Sequence, residues 1–131
     1  MIVVDSSALL AILFQEREKE LFKEIMESAD RCVLSAVNAH ETATVLRLRY
    51  GAHGAERLWE LVRDNDIEIV PFDERQERAA AAAFDRYAAA NVQPSFGIDA
   101  FSAAYALAKL LSAPLLFKGS DFAQTDAQRC V

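Results

Sequence analysis

Four short apolar runs, at 2–4, 32–34, 67–70 and 115–117, divide this chain, and helix-length segments fill the gaps between them. Runs this short do not make buried helices. They suit strands covered on both faces, as in the middle of a parallel sheet. Parallel strands joined by helices form right-handed βαβ crossovers, so the pattern predicts an α/β fold with three layers: helices, a short mostly parallel sheet, helices. Helices are expected over 8–14, 16–29, from a Ser35 cap to Tyr50, then over 54–65, 74–90 and 98–111. Leu21, Phe22, Ile25 and Met26 recur at helical spacing in the second. Ala79 to Ala83 give the fifth a strong helix propensity. A loop containing Pro94 is expected over 91–97, a polar turn region over 118–126, and a short edge strand from the last residues.

A length of 131 residues fits one domain, 1–131, with a core large enough to need no staples. The 53% hydrophobic content rules out a disordered chain, and four Gly with three Pro rule out linker-rich or collagen-like architectures. Cys32 and Cys130 read as small buried hydrophobes in a reducing cytosol. No run approaches the ~18 apolar residues of a membrane helix, and the first residues lack the basic segment of a signal peptide, so a cytoplasmic protein without a membrane partner is expected. Acids outnumber bases by 20 to 14, a formal charge of −6. That excludes a protein coating nucleic acid through a broad basic face. It leaves room for an enzyme that touches nucleic acid locally through an acidic, metal-dependent site.

Ligands of open parallel sheets bind beyond the carboxyl ends of the strands. Four acids from separate segments reach that edge. Asp5 follows the first strand, Asp121 lies beyond the fourth, Asp99 opens a helix, and Glu41 sits in the helix after the second strand. Each has an ordinary reading alone: a helix cap, a loop acid, a dipole partner, a solvated glutamate. Together they form a constellation whose like charges raise one another's pKa. A hard divalent cation relieves that conflict, and carboxylate ligation suits Mg²⁺ or Mn²⁺. Zinc is disfavoured, because no Cys/His pair has ligand spacing. His40 reads as helix surface or support to the site, and His53 as an exposed loop residue. No phosphate-binding glycine motif is present.

The same segments resemble the PIN-domain nucleases. Val3-Val4-Asp5-Ser6-Ser7-Ala8-Leu9 resembles their opening, and Ser35 to Ala43, around Glu41, their second acidic segment. Gly97-Ile98-Asp99-Ala100-Phe101 with Ala106-Leu107-Ala108-Lys109 resembles the third. Pro114 to Phe122 with Thr125-Asp126 resembles the fourth. The resemblance spans the chain and is strongest to the VapC-type toxins of bacterial toxin–antitoxin modules. The third segment departs from that branch: Ile98 stands between Gly97 and Asp99, and Ala100 replaces the expected Cys.

The resemblance implies a PIN fold and a Mg²⁺- or Mn²⁺-dependent endoribonuclease that cleaves RNA and inhibits translation. It implies a homodimer and a cognate antitoxin that fills the acidic cleft, with DNA contacted only through the antitoxin. Asp5, Glu41, Asp99 and Asp121 become the acidic quartet, and Ser7 a hydroxyl orienting a carboxylate. Asp5 and Asp99 are then direct ligands, Glu41 a ligand or a positioner of water, and Asp121 a holder of a second metal or a group acting through water. Arg47, Arg49, Lys109, Lys118 and Arg129 are candidate RNA contacts. Two other classes compete: a catalytically inactive PIN-like scaffold, and a phosphoacceptor domain using Asp73 after the third strand.

Overall fold

Ten elements follow one another in the computed structural model, which describes residues 1–88, 98–123 and 125–131. They are β1 (Ile2–Val4), α1 (Ser6–Leu13), α2 (Lys19–Ser28), β2 (Cys32–Ser35), α3 (Ala36–Tyr50), α4 (Glu56–Asp64), β3 (Glu68–Val70), α5 (Glu74–Ala88), α6 (Ile98–Leu111) and β4 (Leu115–Leu116). The expected loop over 91–97 with Pro94, the last residues of the helix expected to reach 90, and position 124 lie outside the described residues.

All four strands are parallel, in the order β3-β2-β1-β4. Alternate strand residues face opposite sides, so two apolar layers form. Ile2 and Val4, Cys32 and Leu34, and Leu116 pack with α1 to α4. Val3, Val33, Leu115 and Phe117 pack with Ala83 and Tyr87 of α5 and Phe101, Ala104 and Leu107 of α6. This is the expected three-layer arrangement. β1 and β2 are buried throughout, while β3, at one border, is only partly covered.

Several boundaries move for local reasons. α1 begins at Ser6, earlier than expected, because Asp5 caps it by accepting from the Ser7 backbone N–H. α2 begins only at Lys19, since the chain first turns through Gln15 at a φ of 55°. Gly51 ends α3 with a φ of 88°, where an L side chain is strained. Gly54 then lets the chain pass close under α3: a Cβ there would lie 2.3 Å from the Leu46 carbonyl oxygen. The expected terminal edge strand shrinks to one parallel bridge between Arg129 and Leu115.

Cys32 and Cys130 are both free thiols, the first buried and the second half-buried. Among the described residues no helix is long and apolar enough to cross a membrane.

Candidate active site at the carboxyl edge of the sheet

Chain order reverses at β1. From β1 the sheet grows through β2 to β3, and β4 then returns to the other side of β1. The crevice beyond the carboxyl ends of β1 and β4 is therefore the place where such a sheet binds ligands. Asp5 lies there, one residue past β1, with its backbone N–H donating to the Leu116 carbonyl of β4.

The Asp5 side chain is 4% exposed and held from three directions. Its Oδ2 accepts from the Ser7 backbone N–H at 3.0 Å and from the Ser7 hydroxyl at 2.6 Å. Its Oδ1 accepts from the Asn38 amide at 3.1 Å. The Ser7 Oγ in turn accepts from the Lys118 backbone N–H at 3.0 Å. A hydroxyl that accepts there keeps its one hydrogen for Asp5, so the backbone just after β4 fixes the direction in which Ser7 donates. Burial pushes the Asp5 pKa up to about 6, against the lowering effect of the bonds from Ser7 and of the Ser6 backbone. The negative charge of Asp121 pushes it in the same direction as burial.

Asp121 is half-buried in the turn after β4. Its neighbour Phe122 anchors that turn, stacking on Phe101 at 4.7 Å and tilting against Phe117 at 5.0 Å. Glu41 is half-buried on α3 and Asp99 is exposed in the first turn of α6. Asn38 connects these two helices to Asp5. It stands three positions before Glu41, and its amide nitrogen also lies 3.2 Å from the carbonyl of Ala100, next to Asp99. The structure thus brings Asp121 into electrostatic range of Asp5 and sets Glu41 and Asp99 on elements tied to it. Among the described residues, no three acids, histidines or cysteines gather closely enough to hold a metal ion as they stand.

The donor chemistry fits a hard divalent ion. The candidate ligands are carboxylates, and Asp5 is a buried acid with no ion pair among the described residues. His40 and His53 are exposed, and His53 Nδ1 lies 3.3 Å from Glu56.

Most of the candidate RNA-contacting cations are engaged within the chain. Lys118 pairs with Glu16 at 3.1 Å and Glu18 at 2.9 Å, and Lys109 with Asp126 at 2.9 Å. Arg49 lies over the Phe14 ring and Arg129 over Phe117. Arg47 is exposed at the end of α3. A groove of about 730 Å³ lies beside this edge, lined by Arg17, Leu21, Phe117, Lys118 and Arg129 among others. Asp73, the acid of the phosphoacceptor reading, caps a helix: it accepts from the Gln76 backbone N–H at 2.9 Å, beside border strand β3 and two strands from the switch point.

Asn38 is the residue of the candidate site that sequence reasoning missed. It looks like one more polar position on α3. The available signal was its spacing with Ala39, Thr42, Ala43 and Leu46, which puts two polar side chains on the buried helix face.

A parallel sheet with this order, carrying carboxylates at its switch point, defines a class, and a family model described as PIN domain matches residues 2–128. The chain belongs to the PIN-domain family. In sequence it is similar to Ribonuclease VapC30 of Mycobacterium tuberculosis, at 35% identity over 125 residues, covering 95% of this chain and 94% of that protein. In fold it is similar to VapC20 of Mycobacterium tuberculosis, titled a sarcin-ricin loop cleaving toxin. The TM-score is 0.72 at 17% identity, covering 94% of this chain and 93% of that one. A toxin–antitoxin complex from Klebsiella pneumoniae matches with a TM-score of 0.70 at 17% identity, covering 96% and 93%.

Proposed function

We propose that this protein is a VapC-type toxin: a Mg²⁺- or Mn²⁺-dependent endoribonuclease that acts in the cytoplasm, inhibits translation by cleaving RNA, and is held in check by an antitoxin. One observation carries the reading. Asp5 is buried at the switch point, fixed by neutral donors alone, with a second carboxylate acting on it. Such a group lacks a positive partner within the described chain and suits one from outside.

Asp5, Asp99, Glu41 and Asp121 are the residues that would hold the metal, which when bound supplies an activated water and offsets charge on the phosphate. The chain's own contributions are positional. Ser7 holds Oδ2 of Asp5 and is itself held by the Lys118 N–H. Phe122 sets the turn that carries Asp121. Glu41, half-buried on α3, would orient water or join the ligands in this reading. RNA reaches an acidic edge only when its charge is offset. Arg47, exposed in the last turn of α3, and Arg17, exposed beside Lys118, are candidates for that role.

The partners follow from the same reading: an RNA substrate, a second copy of the chain, and an antitoxin that carries any DNA contact. Leu48, 84% exposed, with Trp59 and Leu21 also exposed, supplies apolar surface for such contacts. The separation of the acids among the described residues is what an inactive scaffold would also show, and the buried, cation-seeking Asp5 is what favours the enzyme. Cleavage of defined RNAs by purified, antitoxin-free protein, with and without Mn²⁺, tests the proposal. Cleavage that requires the metal and stops when antitoxin is added is the expected result. A folded protein inert on every RNA at millimolar Mn²⁺ overturns it.

A further inference from the structure

The centre of the site is an amide. Asn38 is wholly buried, and burying an amide is unfavourable unless it is bonded. Its Nδ2 faces three acceptors: Asp5 Oδ1 at 3.1 Å, Ser6 Oγ at 2.9 Å and the Ala100 carbonyl at 3.2 Å. These belong to the start of α1 and the first turn of α6, so one side chain on α3 binds both. Its own backbone carbonyl accepts the Thr42 hydroxyl at 2.8 Å and the Ser6 hydroxyl at 3.3 Å. The residue is fixed at both ends.

The orientation of the amide is forced. Turning it over would press Oδ1 against a carboxylate oxygen and a carbonyl oxygen, acceptor against acceptor. In the observed orientation Oδ1 is buried with no hydrogen-bond partner among the described residues. A leucine would fill similar space without that orphaned oxygen but would take the donor from Asp5 Oδ1 and the Ala100 carbonyl, so the asparagine is there for its bonds and not its bulk. What the amide adds is control of Asp5. Two donors from Ser7 occupy Oδ2 and one from Asn38 holds Oδ1, which leaves Oδ1 as the oxygen with a lone pair to offer.

We propose that Asn38 is a positioning residue for Asp5, fixing the plane of its carboxylate and holding the first turn of α6, which carries Asp99, against it. This rests on the site reading above, with Asp5 as a metal-binding carboxylate. Asn38 acts on cation binding through Asp5 and leaves RNA capture to other residues.

The test compares wild type, Asp5→Asn and Asn38→Leu for fold by circular dichroism, Mn²⁺ affinity by calorimetry, and kcat and KM on a cleavable RNA. Partners that orient metal ligands are typically worth about 10–100-fold in affinity or activity, and that is the expected loss in Mn²⁺ affinity and in kcat for folded Asn38→Leu. KM for RNA is expected to stay near wild type. A folded Asn38→Leu with wild-type Mn²⁺ affinity and kcat overturns the inference, whatever its melting temperature. Should Asn38→Leu not fold, Asn38→Ser, smaller and still a donor, decides by the same two readouts. An intermediate loss supports the inference, and wild-type values overturn it. The Asp5→Asn arm separates the two levels: if it cleaves like wild type, the site reading fails and this inference with it. If Asp5→Asn is inactive while the Asn38 variants are normal, only the role of Asn38 is lost.

Discussion

Asp5 and Asp126 are both carboxylates held by several hydrogen bonds, yet their environments push them in opposite directions. Asp5, at the switch point, is bound by an amide, a hydroxyl and a backbone N–H, all neutral, and burial raises its pKa to about 6. Asp126 ties the C-terminal segment to α5 and α6. The Tyr105 hydroxyl and the Lys109 ammonium donate to it, Tyr87 lies 3.3 Å away, and its pKa falls to about 2. The difference is where the compensating charge resides. For Asp126 it is inside the chain, which makes a clamp. For Asp5 it is not, which makes a site that favours a cation from elsewhere.

Removing each charge in turn is the strongest way to break this contrast. Asp5→Asn is expected to lower RNA cleavage by more than the ~100-fold typical of losing a mere supporting partner, with the fold intact. Asp126→Asn is expected to leave cleavage by the folded protein unchanged. Its melting temperature should drop a few degrees, as for a partly exposed pair worth about 1 kcal/mol. Turnover and circular dichroism on both variants check this, and the reverse pattern would invert the assignment.

Metal binding sharpens it next. At a hundredfold excess over Kd, a ligand of the native state stabilises by about 2.7 kcal/mol. Thermal melts should show that gain with Mn²⁺ in wild type and Asp126→Asn, and a smaller one in Asp5→Asn and Asp99→Asn. Equal shifts in all four would place the metal elsewhere.

Acidity should act on the two carboxylates with opposite sign. Asp5 has a raised pKa, so its contribution to stability is fully present below the ordinary value near 3.8 and is lost as pH rises through about 6. Asp126 has a lowered pKa, so its contribution is present above about 3.8 and lost as pH falls toward about 2. Melting curves in chelator across pH 2–7 are expected to show both limbs. Asp5→Asn should flatten only the upper one, and Asp126→Asn only the lower.

Lys118→Gln should have the smallest effect. Its side chain, 35% exposed, bridges Glu16 and Glu18, and it is the backbone N–H that holds Ser7. Only a small change in melting temperature is expected, with kcat and KM near wild type. A large rise in KM would instead make Lys118 an RNA contact.

The strands were legible because their apolar residues are short runs with no helical periodicity, and Asp5 was legible because it directly follows one of them. Asp121 followed from its place after β4. Asn38 was not legible, because burial of a polar residue on a mixed helix depends on which neighbour covers that face, here α1 and α6. The engagement of Lys118 was hidden for a similar reason. Its partners lie about a hundred positions earlier, in a turn whose path depends on the positive φ at Gln15. The terminal edge strand was over-read, since only Arg129 finds a strand partner.

The bond from the Lys118 backbone to Ser7 spans 111 positions. In synthesis Asp5 therefore precedes by more than a hundred residues the segment that completes the edge beside it. Helices α1 to α4 can collapse against β1 and β2 while that edge is still missing. An unfinished chain thus contains its first catalytic candidate without the neighbours that orient it. The order of Asp5 is thus settled by two segments far apart along the chain.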